Sequence, residues 1–162
     1  MYSFYKHKRC SGFTLIELVI TITIAAILIA IVVPSFNTII ESSKDRASRD
    51  ALISAIYTGR EQAISKRVKV YLCPTSNGTS CLDTTDWGSQ WLVYQDGEII
   101  IHHTSKTDLI LSDEKIITFS ATGHATSNTF KICSNTDQSS VYELTLNRMG
   151  RVSYTTASGD CE

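Results

Sequence analysis

The chain has 162 residues, 43% of them hydrophobic and 19% charged, with a formal net charge of −1. That length leaves room for one small globular domain beside an apolar segment, and not for two. Three of the 15 basic residues (Lys6, Lys8 and Arg9) precede Gly12, so 12 basic residues face 16 acidic ones in the rest; a balance of −4 argues against a generic nucleic-acid binder.

Residues 1–12 are polar and basic, and no regular structure is expected of them. An apolar run then extends from Phe13 to Val33, and the first 22 residues after Gly12, 13–34, are read as a membrane-spanning helix. A bilayer crossing needs about 20 such residues. The run is longer than the apolar core of a secretory signal peptide, about 7–15 residues, and Leu28 two positions before Ala30 spoils a small-x-small cleavage site. Lys6, Lys8 and Arg9 hold the leader on the cytoplasmic side. One carboxylate, Glu17, lies inside the run, where it costs roughly 2.5–3.5 kcal/mol on insertion scales; a plain anchor has no use for it.

The string Lys8-Arg9-Cys10-Ser11-Gly12-Phe13-Thr14-Leu15-Ile16-Glu17 resembles the type III signal of type IV pilins and type II secretion pseudopilins. The resemblance implies cleavage between Gly12 and Phe13 by prepilin peptidase, N-methylation of the new Phe13 amine, and a role for Glu17 in filament assembly. The chemistry agrees. A glycine at the cut bond lets a protease approach the backbone. Cleavage frees a cationic amine four residues before Glu17, and the carboxylate of one subunit is placed to neutralise the amine of a neighbour. Desolvation offsets much of that attraction, so the pair acts mainly on register: a misplaced subunit leaves a charge unpaired in hydrocarbon.

Pro34 ends the apolar run and, in a continuing helix, removes one backbone bond and favours a kink. Residues 35–66 continue as an amphipathic helix. Phe36, Ile39, Ile40, Ala47, Ala51, Leu52, Ala55 and Ile56 follow three- and four-residue steps, with Lys44, Asp45, Arg46, Arg49 and Asp50 on the other side. Residues 67–162 read as a β-rich domain outside the membrane. Strands are expected at Val68–Leu72, Trp91–Gln95, Glu98–His102, Lys115–Phe119, Thr129–Ile132, Val141–Leu146 and Arg151–Thr155. Asp96-Gly97 is a hairpin turn and Met149-Gly150 another turn. The fold class is therefore α+β: a long N-terminal helix packed on a C-terminal antiparallel β-rich domain, the arrangement of the pilin fold.

Cys10 lies in the leader. Cys73, Cys81, Cys133 and Cys161 form an even set in the part expected in an oxidising periplasm, which points to two disulfides. Cys73 and Cys81 bracket a short polar loop and are natural partners. Cys133 with Cys161 then ties the C-terminal tail to a strand, although four cysteines allow three pairings. Their spacing does not suit a four-thiolate zinc site.

No catalytic, cofactor or metal motif is found. Phosphate-cradling glycine loops, Gly-x-Ser-x-Gly and His-Glu-x-x-His are all absent. His102 and His103 are adjacent and point to opposite faces of a strand, a poor metal pair. Asn77-Gly78-Thr79 fits a glycosylation pattern and equally a loop turn. Trp87 and Trp91 are expected in the core beside a hairpin.

From the signal through the β-rich region to Asn147-Arg148-Met149-Gly150-Arg151-Val152, the chain resembles the GspH/FimT/FimU group of minor pilins and pseudopilins. That implies no enzyme activity and a minor pilin at the tip of a type IV pilus, packed against other minor pilins and the major pilin through N-terminal helices. It also implies a subunit held in the bacterial inner membrane before assembly. The alternatives are a type II secretion pseudopilin and a DNA-uptake pilin. Some FimT-like members carry Gly-Arg-x-Arg and bind DNA; Gly150-Arg151 matches its first half, and Arg148 and Arg151 are the contact candidates. Here Ser153 replaces the second arginine, and DNA affinity rests on several phosphate contacts.

Overall fold

The computed structural model describes residues 13–88, 90–104, 109–133 and 140–156, with residues 31–38, 41, 109, 140 and 141 described by their backbone alone. The chain divides into two compact units, up to residue 39 and from residue 40 onward. One helix, α1 (Leu15–Lys66), runs through Pro34 and contributes to both.

In the first unit every described side chain from Phe13 to Ala30 is exposed. Threonines do not break the helix because Thr21 and Thr23 donate their hydroxyls to the Leu18 and Ile20 carbonyls, each at 2.8 Å.

In the second unit α1 buries Leu52, Ala55, Ile56 and Ala63. Gly59 leaves room for the Phe119 ring, which a Cβ there would meet at 2.9 Å. The buried stripe differs from the expected one at its start. Ile39, Ile40 and Ala47 are exposed, whereas Asp45 and Ser48 are buried. The physical reason is the helical period: Asp45 and Ser48 precede Leu52 by seven and four residues and share its face. Phe36 has a side chain outside the described set.

α1 ends where Arg67 takes a left-handed φ of 58° and the Val68 N–H donates to the Ala63 carbonyl at 3.3 Å. This closing turn uses up Val68, so the strand expected from there starts two residues later. The first sheet has the order β3-β2-β1-β5, with β1 (Val70–Pro74), β2 (Gln90–Gln95), β3 (Glu98–Thr104) and β5 (Ile117–Phe119) all antiparallel. The β2–β3 hairpin turns at Asp96-Gly97, both at positive φ (49° and 84°), as a two-residue primed turn requires. The second sheet has the order β4-β6-β7-β8, with β4 (Leu109–Ser112), β6 (Asn128–Cys133), β7 (Ser140–Leu146) and β8 (Val152–Thr156). β4 is not among the expected strands. It is four residues long and is completed by distant chain: the Trp87 N–H donates to the Ile110 carbonyl at 2.8 Å, and the Ser112 N–H to the Thr85 carbonyl at 2.9 Å.

Side chains from α1 and both sheets form one core, with Trp87, Trp91, Phe119 and Phe130 its largest fully buried members. Trp87 meets Phe130 edge-on at 5.0 Å, and its Nε1–H donates to the Glu114 carbonyl at 3.1 Å. The two tryptophans are thus core residues, as expected. A cation joins α1 to the second sheet: the Arg49 guanidinium lies 4.6 Å from the Tyr142 ring centre and 4.5 Å from that of Tyr154.

Candidate functional site

Three places hold the residues singled out by the sequence. The first is the start of α1. Phe13 and Leu15 are 77% and 81% exposed, and the apolar side chains that follow have no cover. Thr14 and Glu17 form a reciprocal cap. The Glu17 N–H donates to Thr14 Oγ1 at 3.3 Å, and the Thr14 N–H points to Glu17 Oε2 at 3.5 Å. Sequence reasoning missed this role, although Thr-x-x-Glu ahead of an apolar run is its signature. Gly12, the expected cleavage residue, lies outside the described residues. Among the described residues no helix is long and apolar enough to cross a membrane. The described side chains of the run end at Ala30, short of the about 20 residues a span needs.

The second place is the loop after β1. Cys73 and Cys81 are joined, with Cα atoms 5.6 Å apart. Inside the loop Asn77 Oδ1 accepts the N–H groups of Thr79 and Ser80 at 2.9 and 3.0 Å, so Asn77 organises a turn. His102 packs over Gly78, while His103 stacks on Trp91 with ring centres 4.4 Å apart. The adjacent histidines do face opposite ways. Burial pushes the His103 pKa below 6.5, and His102 adds to the shift. Cys133 is also disulfide-bonded. Its expected partner, Cys161, lies outside the described residues.

The third place is the turn between β7 and β8. Asn147 holds it: the Asn147 N–H donates to the Arg151 carbonyl at 3.0 Å, and Asn147 Oδ1 accepts the N–H groups of Met149 and Arg151 at 3.0 and 3.1 Å. Gly150 has φ 72°, and a Cβ there would lie 2.5 Å from Cδ and Nε of Arg60. Arg60 Nε–H donates to the Gly123 carbonyl at 3.0 Å. Arg148 and Arg151 are exposed on either side of this contact. The fold thus brings a third arginine, from α1, beside two that are close in sequence. Among the described residues no cluster of three or more metal-ligating side chains occurs.

Residues 49–150, more than half of the chain, match the model of the family described as type II transport protein GspH. The chain belongs to the GspH family. Residues 7–33 match the prokaryotic N-terminal methylation motif, so this GspH-family chain carries that motif around Gly12, Phe13 and Glu17. The fold is similar to that of the type IV minor pilin FimU of Pseudomonas aeruginosa (strain PAO1). One crystal form aligns with a TM-score of 0.57 and 21% identity, over 72% of this chain and 99% of that one. A second gives 0.59 and 19%, over 75% and 98%. The minor pseudopilin EpsH of the Vibrio cholerae type 2 secretion system aligns with a TM-score of 0.48 and 10% identity, over 70% of this chain and 97% of that one. No curated protein matches the sequence. The GspH-family chain therefore has the α+β pilin fold and is a minor pilin or pseudopilin, a structural subunit and not an enzyme.

Proposed function

We propose that this GspH-family subunit is a minor pilin of a type IV pilus, made with a leader that prepilin peptidase removes between Gly12 and Phe13. The Phe13 amine is methylated, and residues 13–34 hold the subunit in the inner membrane until it enters the filament. There it packs against other minor pilins and the major pilin near the tip and helps start assembly. The observation that carries this reading is the methylation motif on a helix whose apolar side chains are all uncovered from Phe13 to Ala30. An apolar surface of that extent calls for lipid or neighbouring helices.

In a monomer Glu17 shares the helix cap with Thr14. Within the filament its carboxylate meets the Phe13 amine of an adjoining subunit. The test is Glu17→Ala. Processing stays intact by mass spectrometry of the mature N-terminus, while the amount of the subunit in sheared filaments falls. An unchanged filament fraction refutes the pairing.

A second reading, a type II secretion pseudopilin, is favoured by the description of the matched family model. Deleting the chain separates the two: loss of surface pili supports the first, and loss of protein secretion with pili intact supports the second.

A further inference from the structure

Sheet edges are a hazard that folded chains usually blunt with charge, proline, a bulge or covering chain. Among the described residues, three of the four sheet edges are treated in this way. β4 is covered by the segment around Trp87, which bonds to Ile110 and bridges Leu111 through Asp86. β3 carries a register shift opposite Val93 and Tyr94. β5 is bridged by Ala125 at Phe119. The exception is β8. It pairs with β7 in unbroken register from Val152 to Thr156, and among the described residues no strand lies on its other side. It contains no lysine, proline or bulge, and Ser153 to Thr156 are exposed.

The chemistry beside this open edge is that of a contact surface. Met149 and Tyr154 are 60% and 51% exposed, although both are large. Tyrosine, methionine and arginine are the residues that interfaces favour. Arg148 and Arg151 stand at the start of β8, with Arg60 packed under the turn between them. The described ion pairs lie elsewhere, Arg49 with Asp50 and Lys115 with Asp83.

We propose that the open edge of β8 takes up an extended, carboxylate-bearing segment of another filament subunit, which adds a strand beyond β8 and sets its acidic side chains on Arg148 and Arg151. The proposal rests on the reading of this chain as an assembly subunit and names the surface by which its globular part selects a neighbour. A strand edge presents N–H donors and C=O acceptors in alternation, and another extended polypeptide backbone offers both in return at the same spacing. A nucleic-acid strand brings phosphate acceptors to the arginines, but its base donors do not repeat at the spacing of the edge carbonyls.

The test is site-specific photo-crosslinking of the full-length protein in cells, with p-benzoylphenylalanine in place of Thr155 and, as control, of Asp96 in the β2–β3 turn. The expected result is an adduct from Thr155 and none from Asp96, with the attached peptide mapping to an acidic segment of another pilin-like subunit. Arg148→Glu with Arg151→Glu abolishes the adduct. Both side chains are exposed, so the fold is retained, which thermal melting verifies. No adduct, an adduct to nucleic acid or lipid, or one insensitive to charge reversal overturns the proposal. The amount of the chain in sheared filaments, measured in the same cells, reports separately on assembly.

Discussion

At the scale of single residues, Gly150 shows how a turn and a helix constrain each other. Its φ of 72° lies in the left-handed region, and the space a Cβ would need is filled by Arg60 and the Gly123 carbonyl. Gly150→Ala is therefore expected to lose about 1–3 kcal/mol through backbone strain and the displaced arginine, measured by urea unfolding. His103 supplies a pH dependence. Its pKa is lowered first by burial and then by His102. The unfolded chain then binds the proton more readily than the folded one. This contribution is complete above the ordinary value of 6.5 and is lost as the pH falls through the window below it. Tm should decline in that window, and His103→Gln should flatten the decline. A slope identical in the two proteins would assign it to other groups.

At the scale of elements, the loop between β1 and β2 is held by the Cys73–Cys81 bridge, eight residues apart. Closing so short a loop in the unfolded chain contributes about 2–3 kcal/mol on a chain-entropy estimate. Cys73→Ser with Cys81→Ser should lower stability by that amount in denaturant titration, and an unchanged midpoint would show that the loop is held by the Asn77 turn alone. The β2–β3 hairpin that follows was legible because residues 91–102 combine β-formers with an Asp-Gly turn. β4 was not, because Leu109 to Ser112 is too short to show a period and is completed by Thr85 and Trp87, more than 20 positions earlier.

At the scale of the whole molecule, the two units have opposite surface chemistry. The second buries Trp87, Trp91, Phe119 and Phe130 in one core, whereas the first leaves its apolar side chains uncovered through Ala30. On the proposed function, lipid or other helices cover that surface and removal of the leader readies the subunit for them, so Gly12→Ala is expected to leave the chain beginning at Met1. Intact-mass measurement on protein from cells reads this directly. A product starting at Phe13 would count against recognition of the glycine.

The sequence by itself determined what is local and linear. The signal around Gly12, Phe13 and Glu17, the apolar run, the helical period over Leu52 to Ile56, and the Asp96-Gly97 hairpin are set by neighbours within a few residues, whereas Cys73–Cys81 was one of the three pairings that four cysteines allow. The tertiary structure decided what depends on residues far apart. It buried Asp45 and Ser48 beside Leu52, set Arg49 between Tyr142 and Tyr154, placed Arg60 beneath Gly150, and left β8, among the described residues, with no strand on its outer side. A helix period assigns residues to a face, but only the element packed against that face determines which of them are buried. Which strand ends a sheet is likewise settled by non-local hydrogen bonds that no short window of sequence contains.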